Sequence, residues 1–305
     1  MLLIKSKVRQ RSEPPIIISN VQALGTLWHF EFFEKINIEL VTISLMGIIK
    51  QFESNYSRFI STSYISILNA KRVYENPSSE FIELLNIGLN YYFLSEGLFN
   101  IGIGEILENR GYDSNYSFRA KNQRLNIPKL DLLLSISNDK VTLHGDGNID
   151  LGGFAKGYLI DKLKYLLVYD LNIKYFLING GGDITVKSNW NKPIEIVLQN
   201  PINVTKYIAK IDLIDVSLCA SSPFKRQWKD NATQISYNHI VNTNNREINS
   251  SFSICNQAVD ADFCATVLMF SDVDNIISNL YQRFNLKYLV MSAKGDVILN
   301  NMLVK

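Results

Sequence analysis

Residues Asp150-Leu151-Gly152-Gly153-Phe154-Ala155-Lys156-Gly157 decide how this chain is read. Before them stand a short apolar run, Val141 to His144, and a Gly-Asp-Gly turn at 145–147. After them Leu159, Leu163, Leu166 and Leu167 recur at helical spacing. A strand-like segment therefore feeds a glycine-rich turn, and the turn feeds a helix N-terminus. Such a turn lets backbone approach an anion and aims first-turn N–H groups at it, with Lys156 adding a positive charge. The same glycines also suit plain turn chemistry, so the stretch alone leaves both readings open.

Working outward, Leu27 to Phe33 reads as an aromatic strand, and Ile38 to Tyr56 as a long helix with apolar residues at helical spacing. A short segment, Ile65 to Asn69, follows. Pro77-Ser78-Ser79-Glu80 starts a helix that Gly97 stops. Phe99 to Gly111 reads as a glycine-bearing loop, and 112–140 carries no clear pattern. Beyond the central helix, strands are expected at Lys174–Ile178, Ile194–Leu198, Tyr207–Leu213, Val216–Ala220, Asn238–Val241 and Phe252–Cys255. The triple glycine Gly180-Gly181-Gly182 suits a bulge or a close backbone approach. Helices are expected at 260–270 and 273–284, then a hairpin of Lys287–Met291 and Val297–Leu299. Strands arrive in runs, without strict alternation with helices, so the class is α+β. Residues 1–20 are expected to form a flexible N-terminal arm, ending in a strand at Ile16–Ile18, and 21–305 one domain of two intimate lobes.

The 305 residues are 47% hydrophobic and 20% charged, ordinary values for a globular protein. A net charge of +2 makes no case for nucleic-acid binding. Cys219, Cys255 and Cys264 form no CxxC pair, which argues against a zinc knuckle or a disulfide framework. No apolar run approaches membrane-spanning length, and the opening MLLIKSKVRQRSEPP is too weakly apolar for a signal peptide. The expected location is the cytoplasm, or outside it if a leader has been removed. Lys5, Lys7, Arg9 and Arg11 read as a solvated basic arm.

Two constellations could carry chemistry. Asp262 and Thr266 lie four apart on a helix, so both oxygens share a face. That pair suits a hard cation such as Mg²⁺; taken alone, it suits better an acid near a helix start and a threonine bonding back to a carbonyl. His239 is one of three histidines and reads either as a general base or as an edge-strand residue. His29 and His144 fall in strands and read as packing residues. Asp146, Asn148 and Asp150 mimic the start of a calcium loop, but Leu151 and Gly157 stand where it needs Gly and Glu. GxSxG, GxxxxGK[ST] and GxGxxG are all absent.

Six segments nevertheless fall in a familiar order. They are Leu24-Gly25-Thr26; Ser57-Arg58-Phe59 with Ile65-Ser66 and Leu68-Asn69; Gly97-Leu98-Phe99-Asn100 through Gly104; Asp150 to Tyr158 with Asp161; Asn179 to Ile184 with Trp190 and Pro201; and His239-Ile240 with Asp262 to Thr266. Over roughly residues 22–300 the chain resembles the ApbE family, the FAD:protein FMN transferases. The resemblance implies mixed and antiparallel sheets packed with helices. It also implies binding of FAD and Mg²⁺, and transfer of FMN to a Ser or Thr hydroxyl of an acceptor flavoprotein with release of AMP. By position it assigns the metal to Asp262, Thr266 and the Gly153 carbonyl. FAD contacts fall to Leu24, Phe59, Leu98, Phe99, Asn100, Asp150, Lys156 and Val241, and His239 takes the functional histidine position.

The chain departs from the family pattern in its loops. Val241-Asn242-Thr243-Asn244-Asn245-Arg246 stands where Ile-Asp-Pro-Arg-Thr-Gly is usual, and Ala220-Ser221-Ser222-Pro223-Phe224 where Thr-Ser-Gly-Asp-Tyr is usual. Asn100 replaces an Asp and Leu24 a Met. These changes keep two other outcomes open: a non-transferring FAD-binding protein, and an FAD pyrophosphatase with water as acceptor.

Overall fold

The structure is a computed structural model that describes residues 6–8, 14–121, 125–188, 192–200, 203, 205–223, 227–230, 234–241, 248–270 and 273–300. In chain order it runs β1 (Ser6–Val8), β2 (Ile16–Ala23), β3 (Thr26–Phe32), α1 (Ile38–Tyr56), α2 (Tyr64–Lys71), β4 (Val73–Glu75) and α3 (Ser79–Leu94). Then come α4 (Gly104–Asn109), α5 (Leu130–Leu133), β5 (Leu134–Ile136), β6 (Lys140–Leu143) and α6 (Ala155–Tyr165), which ends in a π turn at Leu166–Asp170. The rest is β7 (Phe176–Gly180), β8 (Asp183–Lys187), β9 (Ile194–Gln199), β10 (Tyr207–Leu213), β11 (Ser217–Ser221), β12 (Gln227–Lys229), β13 (Ser236–Asn238), β14 (Ile248–Cys255), α7 (Ala258–Val267), α8 (Asp274–Phe284), β15 (Lys287–Ser292) and β16 (Val297–Asn300).

An eight-stranded sheet of order β16-β15-β14-β11-β8-β7-β3-β2 divides the molecule. Strand alternation sends successive side chains to opposite faces. Trp28, Phe30 and Phe32 of β3 enter the large core with Leu45 and Ile49 of α1, Leu159 and Leu163 of α6, and Phe263 of α7. Ile184 and Val186 of β8 face the other way, onto Ile194, Ile196 and Leu198 of β9 and Ile211 and Leu213 of β10. Asp183 and Thr185 therefore point from β8 to the helix-covered side. Local chemistry starts three helices: the side chains of Asn37, Ser63 and Ser78 accept the N–H groups of Leu40, Ser66 and Phe81.

The expected α+β class holds. Every ladder between named strands is antiparallel, and the parallel pairing among the described residues is the isolated bridge Ile103–Asn148. Several elements differ from expectation. The strand at Ile16–Ile18 runs on to Ala23, because β2 pairs with β3 from Ile16↔Phe32 to Ala23↔Thr26 and forms a sheet edge. The residue-20 boundary thus falls inside a strand. The glycine loop after Phe99 contains α4, and 112–140 contains α5 and β5. The expected strand at Asn238–Val241 is instead the end of β13 followed by a bend, where the Asn238 side chain accepts the Ile240 N–H at 2.8 Å. Neither His29 nor His144 is packed away. His29 is half-buried and pairs with Glu31 at 2.9 Å, while His144 is exposed beside Ser135.

Candidate active site at the contact of α6 and α7

The two helices meet at their N-terminal turns. A Cβ on Gly157 would lie 2.3 Å from the Ala258 carbonyl oxygen, so the approach requires glycine. Across this contact the Asp262 carboxylate accepts the Gly157 N–H at 3.2 Å. In the first turn of α6 the Ala155 N–H also donates internally, to the Leu151 carbonyl at 2.9 Å, so these donors serve the turn itself.

Lys156 stands beside it. Its Nζ lies 3.2 Å from Asp262 Oδ2 and 3.2 Å from Asp183 Oδ2. Asp183 and Asp262 are 2% and 6% exposed, so both charges are removed from water. Burial is the main cause that pushes the Asp262 carboxyl up to about 7; Lys156 opposes the shift and Asp183 adds to it. Asp183 owes its place to a hairpin. Gly181 and Gly182 have φ of 71° and 105° between the paired Gly180 and Asp183, a two-residue turn of type I′. The triple glycine is thus a hairpin turn, and it delivers an acid at the first residue of β8.

The helix carrying Asp262 is fastened at several points. Asp161 of α6 accepts the N–H groups of Ala258 at 2.9 Å and Val259 at 2.8 Å, and so supplies the cap that Gln257 does not. Burial pushes the Asp161 carboxyl up to about 6 against those two hydrogen bonds. Buried Ser251 and Ser253 of β14 donate to the carbonyls of Ala265 and Ala261.

The central loop is held as firmly. Asn69 donates to the Ile149 carbonyl at 3.0 Å and accepts its N–H at 2.7 Å, as a neighbouring strand would. Arg58 Nε donates to Asp150, and a second guanidinium nitrogen donates to the Tyr112 carbonyl at 2.7 Å. The other Asp150 oxygen accepts the Gly152 N–H at 2.6 Å.

The ApbE family model matches residues 24–290. The chain belongs to the ApbE family. Among its relatives, an FAD:protein FMN transferase of Klebsiella pneumoniae is 24% identical over 178 residues, covering 56% of this chain and 54% of that protein. The chain thus matches about half the length of that curated relative. The ApbE protein of Thermotoga maritima has the same fold, with TM-score 0.78, 20% identity, and coverage of 94% of this chain and 97% of that one. The flavin transferase ApbE of Vibrio cholerae superposes with TM-score 0.74 at 15% identity, over 94% and 98% of the two chains.

Of the residues assigned from the ApbE pattern, Lys156 and Asp262 are brought into direct contact. Thr266 is half-buried one turn on and donates its hydroxyl to the Asp262 carbonyl at 3.2 Å. Gly153 lies against the ring of Phe99 in the turn that opens α6. Phe99 itself is buried among Tyr91, Phe154 and Phe263, and Leu98 packs at the rim of the same core. Asn100 is engaged internally: its amide donates to the Pro128 carbonyl at 2.8 Å and its oxygen accepts the Gly102 N–H at 2.7 Å. An amide makes both bonds, whereas an ionised carboxylate could accept from Gly102 but not donate to Pro128.

Phe59 stacks on Tyr116 with centroids 5.0 Å apart, and Val241 is buried in the adjoining cluster with Tyr112 and Trp228. Leu24 holds a left-handed turn at φ 50°, its N–H donating to Glu53 at 2.7 Å. His239 is half-buried in the bend after β13. Residues 242–247, 224–226, 190 and 201, which carry several of the pattern's remaining positions, lie outside the described residues. Three residues of the site carry no assignment from the ApbE pattern. Asp183 and Asp161 were visible only as members of matched segments, and Arg58 only as the neighbour of Phe59.

Proposed function

We propose that this chain transfers the FMN half of FAD to a serine or threonine hydroxyl of an acceptor flavoprotein and releases AMP. The observation that carries the reading is the buried contact of Lys156 with Asp183 and Asp262 at the N-terminus of α6, in a chain that matches the ApbE family over residues 24–290.

The proposed cation is Mg²⁺, held by Asp262, Thr266 and the Gly153 carbonyl. The residues fit it. Two buried carboxylates against one ammonium leave an excess of negative charge that a divalent ion offsets. The Thr266 hydroxyl spends its proton on a helix carbonyl, which leaves its oxygen lone pairs to accept. When bound, such an ion neutralises charge on the phosphates of the donor.

The remaining chemistry belongs to the chain. Lys156, at the opening of α6, binds and orients the pyrophosphate. The acceptor oxygen bonds to the FMN phosphorus as the phosphorus–oxygen bond to AMP breaks, and AMP leaves with that electron pair. An imidazole nitrogen of His239 takes the hydroxyl proton.

AMP release from FAD in the presence of Mg²⁺ tests the assignment. Asp262→Asn is expected to lower it by about a hundredfold or more, and His239→Asn to remove the acid limb of its pH dependence. An Asp262→Asn protein that turned over with unchanged metal dependence would sink it. AMP with free FMN and no acceptor would mean transfer to water, and bound but unaltered FAD would mean a binding protein.

A further inference from the structure

Lys156 reaches two acids, and the two are not equivalent. Asp262 lies on α7 with the Thr266 hydroxyl one turn away. Asp183 starts a sheet strand directly after a tight turn, and its second oxygen accepts the Ala220 N–H at 3.2 Å. At 2% exposure it has almost no water to solvate it. A carboxylate placed so rigidly and so deeply needs a cation that stays.

We propose that Asp183 is a positioning residue for Lys156. The ammonium bridges both acids. When a divalent ion takes Asp262, its charge repels the ammonium from that carboxylate. Asp183 then retains the lysine at the opening of α6, where it meets the donor's phosphates. Without Asp183 the flexible four-carbon stem would leave the ammonium either on Asp262, competing with the ion, or in solvent. This inference rests on the cation site of the proposed function and adds a residue to it.

The test is a calorimetric titration of MgCl₂ into four full-length proteins: wild type, Asp183→Asn, Lys156→Gln and the double variant. Asp183→Asn is expected to weaken Mg²⁺ binding by about tenfold, because the lysine then stays on Asp262. Lys156→Gln is expected to strengthen it. In the Lys156→Gln background the Asp183→Asn loss should shrink to less than about twofold, since no lysine remains to be placed. An equal loss in both backgrounds would reduce Asp183 to a distant charge and overturn the exchange while leaving the cation site intact. Unchanged affinity in Asp183→Asn would also overturn it. Absence of Mg²⁺ binding by all four proteins would remove the cation site itself, a different failure from either.

Thermal unfolding with a chelator covers the case of a poorly folded variant. Lys156→Gln should unfold at a lower temperature than wild type, with two buried acids left facing each other, and the double variant should recover much of that loss. If the double variant unfolded lower still, the acids would not be the source of the strain and the pairing would be wrong.

Discussion

Gly157 and Arg58 show how single residues hold the site without taking part in the chemistry. Adding a methyl at Gly157 places it 2.3 Å from a backbone oxygen that cannot rotate away. Gly157→Ala is therefore expected to destabilise the fold by about 1–3 kcal/mol, read by urea unfolding, and to weaken Mg²⁺ binding as α7 is pushed off α6. Arg58 is 3% exposed at its side chain and pairs with Asp150, which is 12% exposed. Removing one partner of a buried pair costs about 3–5 kcal/mol, so Arg58→Met should fall in that range, and Asp150→Asn combined with it should cost less than the sum. A change below about 0.5 kcal/mol in Arg58→Met would show that the pair is not what closes the loop. Neither contact was legible in the sequence. Arg58 and Asp150 are 92 residues apart, and no local pattern marks a guanidinium for one distant carboxylate.

Elements were legible where their signals are local. The helical spacing from Ile38, the start signal Pro77-Ser78-Ser79-Glu80 and the aromatic run Leu27–Phe33 mark α1, α3 and β3 within a few residues of where they stand, whereas Ile65–Asn69 reads only as a short segment and belongs to the helix α2. Thr266 obeys the plain helical reading, bonding back to the Asp262 carbonyl, and that bond does not conflict with a metal role. Other elements depend on distant partners. The six residues of α4 sit within a loop that Gly104 N–H ties to the Asn148 carbonyl at 2.7 Å, and β8 exists because a glycine turn folds it onto β7.

At this scale the pH dependence of stability is set in part by Asp161, which starts α7. Its folded-state carboxyl is raised from 3.8 to about 6, so the native state holds the proton more tightly than the unfolded chain. Its contribution to stability is complete below about pH 4 and is lost as pH rises through about 6. Urea unfolding of wild type against Asp161→Asn should show a decline over that window that the variant lacks. A decline of equal size in both would place its origin elsewhere.

For the whole molecule, the central sheet explains why the site is where it is. One face carries the smaller apolar core against β9 and β10; the other carries the large core with α6 and α7 and, between helix and strand, the buried contact of Lys156, Asp183 and Asp262. The α+β class and the family pattern could be read from order along the chain, because glycine turns, caps and the Asp262–Thr266 spacing are all short-range. The second acid could not, because Asp183 meets Lys156 only after the sheet has formed.

The central claim is transfer of FMN to protein, and the intact mass of an acceptor tests it most directly. The full chain would be incubated with FAD, Mg²⁺ and a flavoprotein fragment bearing a single candidate threonine. The account predicts a fragment heavier by one phosphodiester-linked FMN, with AMP in equal amount, and no gain in mass with Asp262→Asn. A fragment of unchanged mass, with FAD intact or with AMP and free FMN in solution, would contradict it.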